Sequence, residues 1–596
     1  MDAQQFLAEF GHIANAPGGI ARLRELILDL AIRGELLAEQ TGVSNATSLI
    51  REIIEFRLKL VQDGKLRRPT PLPEIEESEL SFKLPDSWAF ERLGNICEIV
   101  RGVTFPSSKK QTFRTDDVVA CLRTSNVQAE VDWSDLIFIN PDLVKRDDQW
   151  IEFGDTMISM ANSYELVGKV ALVREVKERA TFGGFIAAIR PHVIEPEYLY
   201  LVLRSPYMQS RMRVTASQTT NIANISLGGM RPIPTPIPPK EEQSRIVAKV
   251  DELMALCDQL EAQQQKRRTL QNHLRQATLQ AVAASQSPHE LQESWQRLEA
   301  NFGQLFSVAE DVGDLRRVIW DMAIRGFLSE AMEDDIPAKT TFEKLKRAEK
   351  DLVREKLLSR PKPFPALLKT DEPFPLPENW IWVRLGELAP EFQNGLSKRQ
   401  GTSGDETIVL RLADVVNFEI FINTPRKILM TTSEREKYCL HQGDLLITRV
   451  NGSAEIVGSF IKCNIENIAY CDHFIRLRFL PEYINPDYIT IAAQSPFVRA
   501  QISSKFVTTA GQKTVNQNHI GALLFPIPPL QEQNRIIKKV EDLLLSCTAL
   551  SEKHEKANKI SELLATASVS ALTGIAIDQE EEPMKAPQTE VAEMRE

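Results

Sequence analysis

The chain is written twice. LRELILDLAIRGELL, starting at Leu23, returns as LRRVIWDMAIRGFLS from Leu315, and FKLPDSWAFERLGNI, starting at Phe82, returns as FPLPENWIWVRLGEL from Phe374; both pairs share an offset of 292 residues (315 − 23 and 374 − 82). Farther on, PIPPKEEQSRIVAKVDELMALC from Pro236 comes back as PIPPLQEQNRIIKKVEDLLLSC from Pro526, an offset of 290 (526 − 236). A tandem duplication constrains the fold strongly. Like units in one chain tend to dock about a pseudo-twofold axis, and such a protein is shaped to bind a twofold object, of which duplex DNA is the commonest.

At 596 residues the chain exceeds one hydrophobic core, and the usual domain size predicts about four globular or helical units, two per repeat. Its 43% hydrophobic and 26% charged residues leave ample apolar surface to bury. The first thirty residues lack a basic start followed by an apolar block, and no apolar run is long enough to span a bilayer, so a cytoplasmic protein without membrane contact is expected. The seven cysteines, at 97, 121, 257, 439, 463, 471 and 547, form no CxxC pair and read as packing residues, not as disulfides or zinc ligands. A net charge of −11 argues against a simple polycation that coats nucleic acid. The acidity is local, however: residues 101–235 hold 16 Lys and Arg against 15 Asp and Glu, and residues 389–525 hold 14 against 13. Such near-neutral stretches can bind DNA through local basic patches, with a partner supplying part of the phosphate attraction.

The periodicity divides each repeat into three parts. Leu23, Leu26, Ile27, Leu30 and Ala31 fall at helical spacing before Gly34, as Leu315, Val318, Ile319, Met322 and Ala323 do before Gly326. Second helices are expected near 45–62 and 340–358, followed by the proline-rich crossings RRPTPLPEIEE and SRPKPFPALLK, which cannot continue a helix. Beyond Trp88 and Trp380, short runs such as DTMISMAN, GKVALVRE, DLLITRVN and HFIRLRFL read as strands, and PEYLYLVLRSPYMQSRM and PDYITIAAQSPFVRAQI as helices covering the sheet. The third part is a long helix entered through prolines. Ile246, Leu253, Leu260, Leu274 and Ala281, and equally Ile536, Leu543, Leu550, Leu564 and Ala571, recur every seven residues, which predicts a seam for another helix. From Glu241 to about Ala284 it would reach roughly 60 Å.

The expected fold class is therefore mixed α/β, with two domains of mixed sheet and covering helices separated by long antiparallel helices, in an internal pseudo-twofold repeat. Its divisions are an N-terminal helical segment (1–80), a first mixed domain (81–235), a spacer helix (236–285), a linker with the second helical segment (286–372), a second mixed domain (373–525), a second spacer helix (526–575) and a disordered acidic tail (576–596).

No phosphate-binding GxxxxGK[ST], HExxH, GxSxG or glycine-rich dinucleotide fingerprint is present, and the tightest reactive-looking cluster, Cys471, Asp472 and His473, has no counterpart in the first repeat. No catalytic residue, metal site or cofactor is predicted. What recurs is a set of polar loops at strand ends: ANSYELVGK with VNGSAEIVGS, SQTTNIAN with GQKTVNQN, CLRTSN with VLRLAD. Arg and Lys match the acceptors of guanine, and Asn and Gln match the donor and acceptor of adenine. Each loop is equally consistent with turn-forming polar residues, and Arg123 and Arg411 with pairing to nearby carboxylates. Trp88 and Trp380 read as core anchors. Arg33 and Arg325 read as charges at helix C-termini.

Two mixed domains, each led in by LPDSW or LPENW and left through PIPP into a long helix, with helices ending in AIRG, resemble the specificity subunit of type I restriction–modification systems over about residues 20–572. The resemblance implies two target-recognition domains, each reading one half of a bipartite, asymmetric site in double-stranded DNA, with the long helices fixing the gap. It also implies two modification (methyltransferase) subunits docked on those helices, restriction (ATP-dependent translocase and nuclease) subunits joining the complex, and no catalysis by the chain itself. Base contacts do not transfer with the family. Chemistry and position select Lys109, Arg123, Asn126, Asn162, Tyr164, Gln218, Thr219 and Asn221 in the first domain, and Lys398, Arg399, Arg411, Arg449, Asn451, Gln512, Lys513 and Asn516 in the second. The alternative reading is a duplicated coiled-coil scaffold that binds protein ligands and not DNA.

Overall fold

The computed structural model describes residues 3–37, 45–66, 68, 70–164, 166–218, 223–285, 288–361, 363–398, 400–416, 418–509 and 511–573. The tail expected at 576–596 lies outside them. The chain divides into two compact units, residues 1–267 with 558–596, and residues 268–557. Both divisions fall inside the long helices, Lys240–Ala284 and Leu530–Thr573.

In unit one a first helix, Ala3–Ala14, is followed by Gly19–Arg33, which stops at Gly34, whose φ of 77° lies in the left-handed region and whose N–H bonds the Leu30 carbonyl. Space forbids a side chain there as firmly as conformation does, because a Cβ would lie 2.5 Å from Pro85 Cγ. Pro85 opens the LPDSW turn, and three residues on Trp88 is buried, its indole N–H donating to Glu242 Oε2 at 3.0 Å. Glu242 belongs to the PIPPKEEQ motif. Beside it Gln243 accepts from Glu195 N–H at 2.9 Å, and strand Ala89–Arg92 pairs antiparallel with Pro234–Ile237. AIRG, LPDSW and PIPPKEEQ thus form one clasp that closes the first mixed domain at its neck.

Unit two builds the same clasp. Gly326 has φ 79° and a Cβ there would lie 2.5 Å from Pro377 Cγ; Trp380 Nε1 donates to Glu532 Oε2 at 3.0 Å; Gln533 accepts from Asn485 N–H at 2.9 Å; Ile381–Arg384 pairs with Leu524–Ile527. The tryptophans are core anchors, as their position suggested. The AIRG arginines do not simply face a helix end: Arg33 and Arg325 lie 2.7 Å from Asp29 and Asp321 one turn back, and stack over Phe82 and Phe374 at 4.7 and 4.4 Å.

Burial pushes the Asp29 carboxyl up to about 6, with Arg33 only partly offsetting it. A carboxyl whose folded value is raised binds its proton more tightly when folded, so its contribution to stability is full below its ordinary value and is lost as pH rises toward 6. Asp29→Asn removes this term. The melting temperature of the variant is expected to gain on the native chain between pH 4 and 6 and to hold a constant difference above that, the change amounting to on the order of 2–3 kcal/mol. Parallel melting curves across that range would refute it.

Three sheets recur in both mixed domains, and the second adds a two-stranded hairpin, Val415–Val416 with Glu419–Ile420. The first contains a four-stranded antiparallel sheet, a three-stranded sheet with one parallel pair (Ala120 beside Ala180), and a small three-stranded ribbon; the second repeats all three, with Val409 beside Ala469 as the parallel pair. The covering helices come in pairs, Pro196–Arg204 with Pro206–Val214 and Pro486–Gln494 with Pro496–Ser504, broken at a Ser-Pro step whose serine caps the next helix.

The seven-residue seam holds for only half of each long helix. Ile246, Val250, Leu253 and Cys257 are buried, but Leu274 is 49% exposed and Ala281 is exposed, while Leu279 and Val282 are buried instead. Ile246 and Val282 are 36 residues apart (282 − 246), which is ten turns of a straight helix at 3.6 residues each. A strict heptad drifts about 20° per repeat from such a helix, so over five heptads the buried position moves on by one residue. The second helix does likewise: Leu564 is 63% exposed, and Ala565 and Val569 are buried. In unit one Ala565 and Val569 share a core with Ile246 and Cys257; in unit two Leu279 and Val282 share one with Ile536 and Cys547. The beginning of one long helix and the end of the other thus share a core, as antiparallel helices do. Arg275 is tolerated on this face because Asp314 accepts from its Nε at 2.8 Å.

Candidate nucleic-acid interface

The four-stranded sheet of the first domain has the order Cys97–Arg101, Ile186–Pro191, Thr156–Ser159, Val170–Leu172. Antiparallel pairing sets Arg101 beside Ala187, Ser159 beside Ile186 and Ile158 beside Val170. One rim of the sheet therefore gathers the loops after residues 101 and 159 and before 170 and 186. The ribbon Ala161–Asn162, Ala223–Ile225, Ala216–Gln218 continues from this rim, with Asn162 opposite Ala223. In the second domain Asn394 pairs with Ile475, Thr448 with Phe474 and Ile447 with Phe460, and the ribbon places Asn451 opposite Lys513.

This rim collects several predicted residues. Asn162 bends its own turn, accepting from Ser163 N–H at 2.9 Å, and Tyr164 beside it is 50% exposed. Arg449 is half-buried, its Nη1 reaching only the Asp472 carbonyl at 3.5 Å. Asn451 accepts from Ser453 N–H at 3.0 Å, Lys513 Nζ donates to the Gly452 carbonyl at 3.1 Å, and Gln512 is exposed. Among the described residues neither Arg449 nor Lys513 has a carboxylate partner. Lys398, two residues past the Leu396–Cys471 bridge, is bound to Glu434 at 2.9 Å. The Thr431 N–H, and after it Lys398, hold the Glu434 carboxyl below its usual range. Lys109 is exposed on the short turn Ser107–Lys109.

Other predicted residues do structural work. Arg123 is tied to Asp135 at 2.5 Å and Arg411 to Asp414 at 2.8 Å, the carboxylate pairing that the sequence left open. Asn126 is buried, accepting from Arg123 N–H at 2.7 Å and donating to the Asp132 and Asp135 carbonyls at 2.9 and 3.0 Å, so both of its amide donors are spent inside the protein. Asn516 caps the helix Gln517–Gly521 through His519 N–H at 2.9 Å. Thr219, Asn221 and Arg399 lie outside the described residues, as does the side chain of Gln218.

Sequence reasoning missed residues the rim also presents: exposed Arg101 and Phe185 in the first domain, and Asn394, His473 and Gln517 in the second. A signal existed. Arg101 and Asn394 each end a strand before a glycine, and a Cβ at Gly102 or Gly395 would lie 2.3 or 2.0 Å from a carbonyl oxygen of the facing hairpin. The Cys471, Asp472 and His473 ligand atoms lie within 4.8 Å of one another on that hairpin, and burial pushes the Cys471 thiol up.

The family model described as "Type I restriction modification DNA specificity domain" matches residues 85–268, from the LPDSW clasp to the end of the first helix's share of unit one. The StySPI specificity subunit of Salmonella potsdam is 30% identical, the match covering 80% of this chain and 86% of that protein. The chain belongs to the type I restriction enzyme specificity subunits. The EcoAI specificity subunit of Escherichia coli is 28% identical over 94% of both chains, and the HsdS subunit from Thermoanaerobacter tengcongensis, known from a crystal structure, is 18% identical with a TM-score of 0.37, covering 83% of this chain and 98% of that one. As a specificity subunit this protein recognises DNA sequence and is a non-catalytic component of its restriction–modification system. Among the described residues no helix is long and apolar enough to cross a membrane.

Proposed function

We propose that each of the two rims of this specificity subunit reads one half of a bipartite, asymmetric site in double-stranded DNA, and that the long helices fix the gap between the halves. One observation carries the reading: two domains that share three sheets and the same clasp hold rims of different chemistry, Arg101, Asn162, Tyr164 and Phe185 in one against Arg449, Asn451, His473 and Lys513 in the other. One scaffold with two sets of base-matching groups suits two different half-sites. Two modification subunits and, through them, restriction subunits complete the assembly in the cytoplasm, where they supply the catalysis and part of the phosphate attraction that a chain of net charge −11 lacks. The scaffold alternative is not favoured, since a DNA specificity domain is what the family model matches.

Replacing residues 389–525 with the matching segment of a relative of different specificity is expected to change one half of the methylated site and leave the other half and the gap intact. Mapping methylated positions in cells carrying the assembled system reads this directly. A change in both halves, or in neither, would end the modular reading.

A further inference from the structure

Unit one contains a cationic cavity at the start of strand Cys97–Arg101, the end opposite the rim. It encloses about 400 Å³ between the third helix (Ala46–Gln62), the start of strand Cys97–Arg101 and the short helix Leu227–Met230, within the range of about 300–1,000 Å³ typical of small-molecule sites. Three guanidinium groups line it, Arg57, Arg68 and Arg231. Arg57 donates to the Asn95 carbonyl at 2.8 Å, while its Nε has no partner, and Arg231 has no ion-pair partner among the described residues. His192 lines the same cavity at 4% exposure with Nε2 unpartnered. Glu98 is the one carboxylate in the lining, and Leu66, Ile99 and Leu227 form an apolar wall.

Charges gathered this way repel unless something neutralises them: burial and the facing Arg231 together hold Arg57 below its ordinary value, and burial, Arg57 and Arg190 hold the His192 imidazole down to about 4. The backbone is shaped to keep them. Arg231 lies flat on Gly94, where a Cβ would come 2.8 Å from Arg231 Cβ and 2.9 Å from its Nε. The sibling domain has lost the arrangement. The positions matching Arg57 and Arg231 there are Glu349 and Gly521 (57 + 292, 231 + 290), and the ring of Phe364 packs against Gly386 and Gly521 where the arginine would lie. A packing requirement of the shared fold would have been kept in both copies.

We propose that this cavity binds a phosphorylated small molecule, its phosphate held by Arg57, Arg231 and Arg68 and its apolar part against Ile99 and Leu227. Guanidinium groups are suited to phosphate oxygens by geometry and by their weak hydration. Titration calorimetry of the full 596-residue chain with inorganic pyrophosphate, at constant ionic strength, tests it. One site per chain is expected, weakened at least about tenfold by Arg231→Gln and measurably by Arg68→Gln, which alters only an exposed side chain. ADP is expected to bind more tightly than pyrophosphate by using the apolar wall. Absence of binding, an affinity unchanged in both variants, or complete displacement of pyrophosphate by duplex DNA would overturn the proposal, the last by assigning the phosphates to nucleic acid.

Discussion

Truncating Trp380 to alanine is expected to destabilise unit two by about 3–5 kcal/mol, the usual cost of removing a buried indole. The ring is 5% exposed and meets Tyr488 edge-on at 6.5 Å. Its N–H is also one of two donors to the Glu532 carboxylate, which is 2% exposed and otherwise bonded by Ser329 Oγ at 2.7 Å. Losing the indole therefore opens a cavity and leaves a buried charge short of a donor, and the two penalties add. Because this contact joins the lead-in of the domain to its exit, amide exchange should accelerate together in residues 381–384 and 524–527, the paired strands of the neck. Trp88→Ala should do the same to residues 89–92 and 234–237. A loss under about 1 kcal/mol, or exchange confined to one strand of the pair, would show that the clasp does not hold the neck.

The second large effect concerns DNA. Replacing Arg449 and Lys513 together with alanine is expected to weaken binding of the assembled complex to its site by at least about 30-fold, since each base or phosphate contact is worth about 1–3 kcal/mol. Both side chains reach only backbone carbonyls within the protein, so their charge is available to a ligand at little internal cost. The form of the loss identifies the contact. Relaxed preference at one half-site marks base reading; a salt dependence shallower by about one unit per residue marks phosphate contact. Arg411→Ala is the control, because that guanidinium is already committed to Asp414 and the Thr424 carbonyl at 2.8 Å each. Its replacement should cost stability and leave affinity within about threefold. Should the double variant bind as the native complex does, these residues are not part of the reading surface.

Much of the architecture was legible in the repeat. Gly34, Trp88 and Glu242 touch one another within the first copy as Gly326, Trp380 and Glu532 do within the second, and a contact that serves the same purpose in both copies leaves the same letters in both. The rim was legible in outline, since strand ends followed by polar loops could be seen without knowing which strands pair. Which polar residues face outward was not. Arg123 and Asn126 resemble base readers in composition, yet they pin a turn to Asp135 across nine to twelve residues of chain. Phe185 looks ordinary in sequence and Arg101 is marked only by the glycine after it; antiparallel pairing carries both to the rim. The seam of the long helices failed for a related reason: a count of sevens assumes a partner helix that supercoils, whereas the buried positions Ile246 and Val282 follow 3.6 residues per turn.

The sequence by itself determined the duplication, the two mixed domains, the long helices and the family, because each depends on local periodicity or on residues repeated at a constant spacing. Tertiary structure alone decided which polar groups are spent inside the protein and which keep hydrogen-bonding capacity at the surface, and it alone placed Arg57, His192 and Arg231 around one cavity. Hydrogen-bond capacity is finite, and whether a side chain has any left depends on neighbours brought from distant parts of the chain, which no local pattern records.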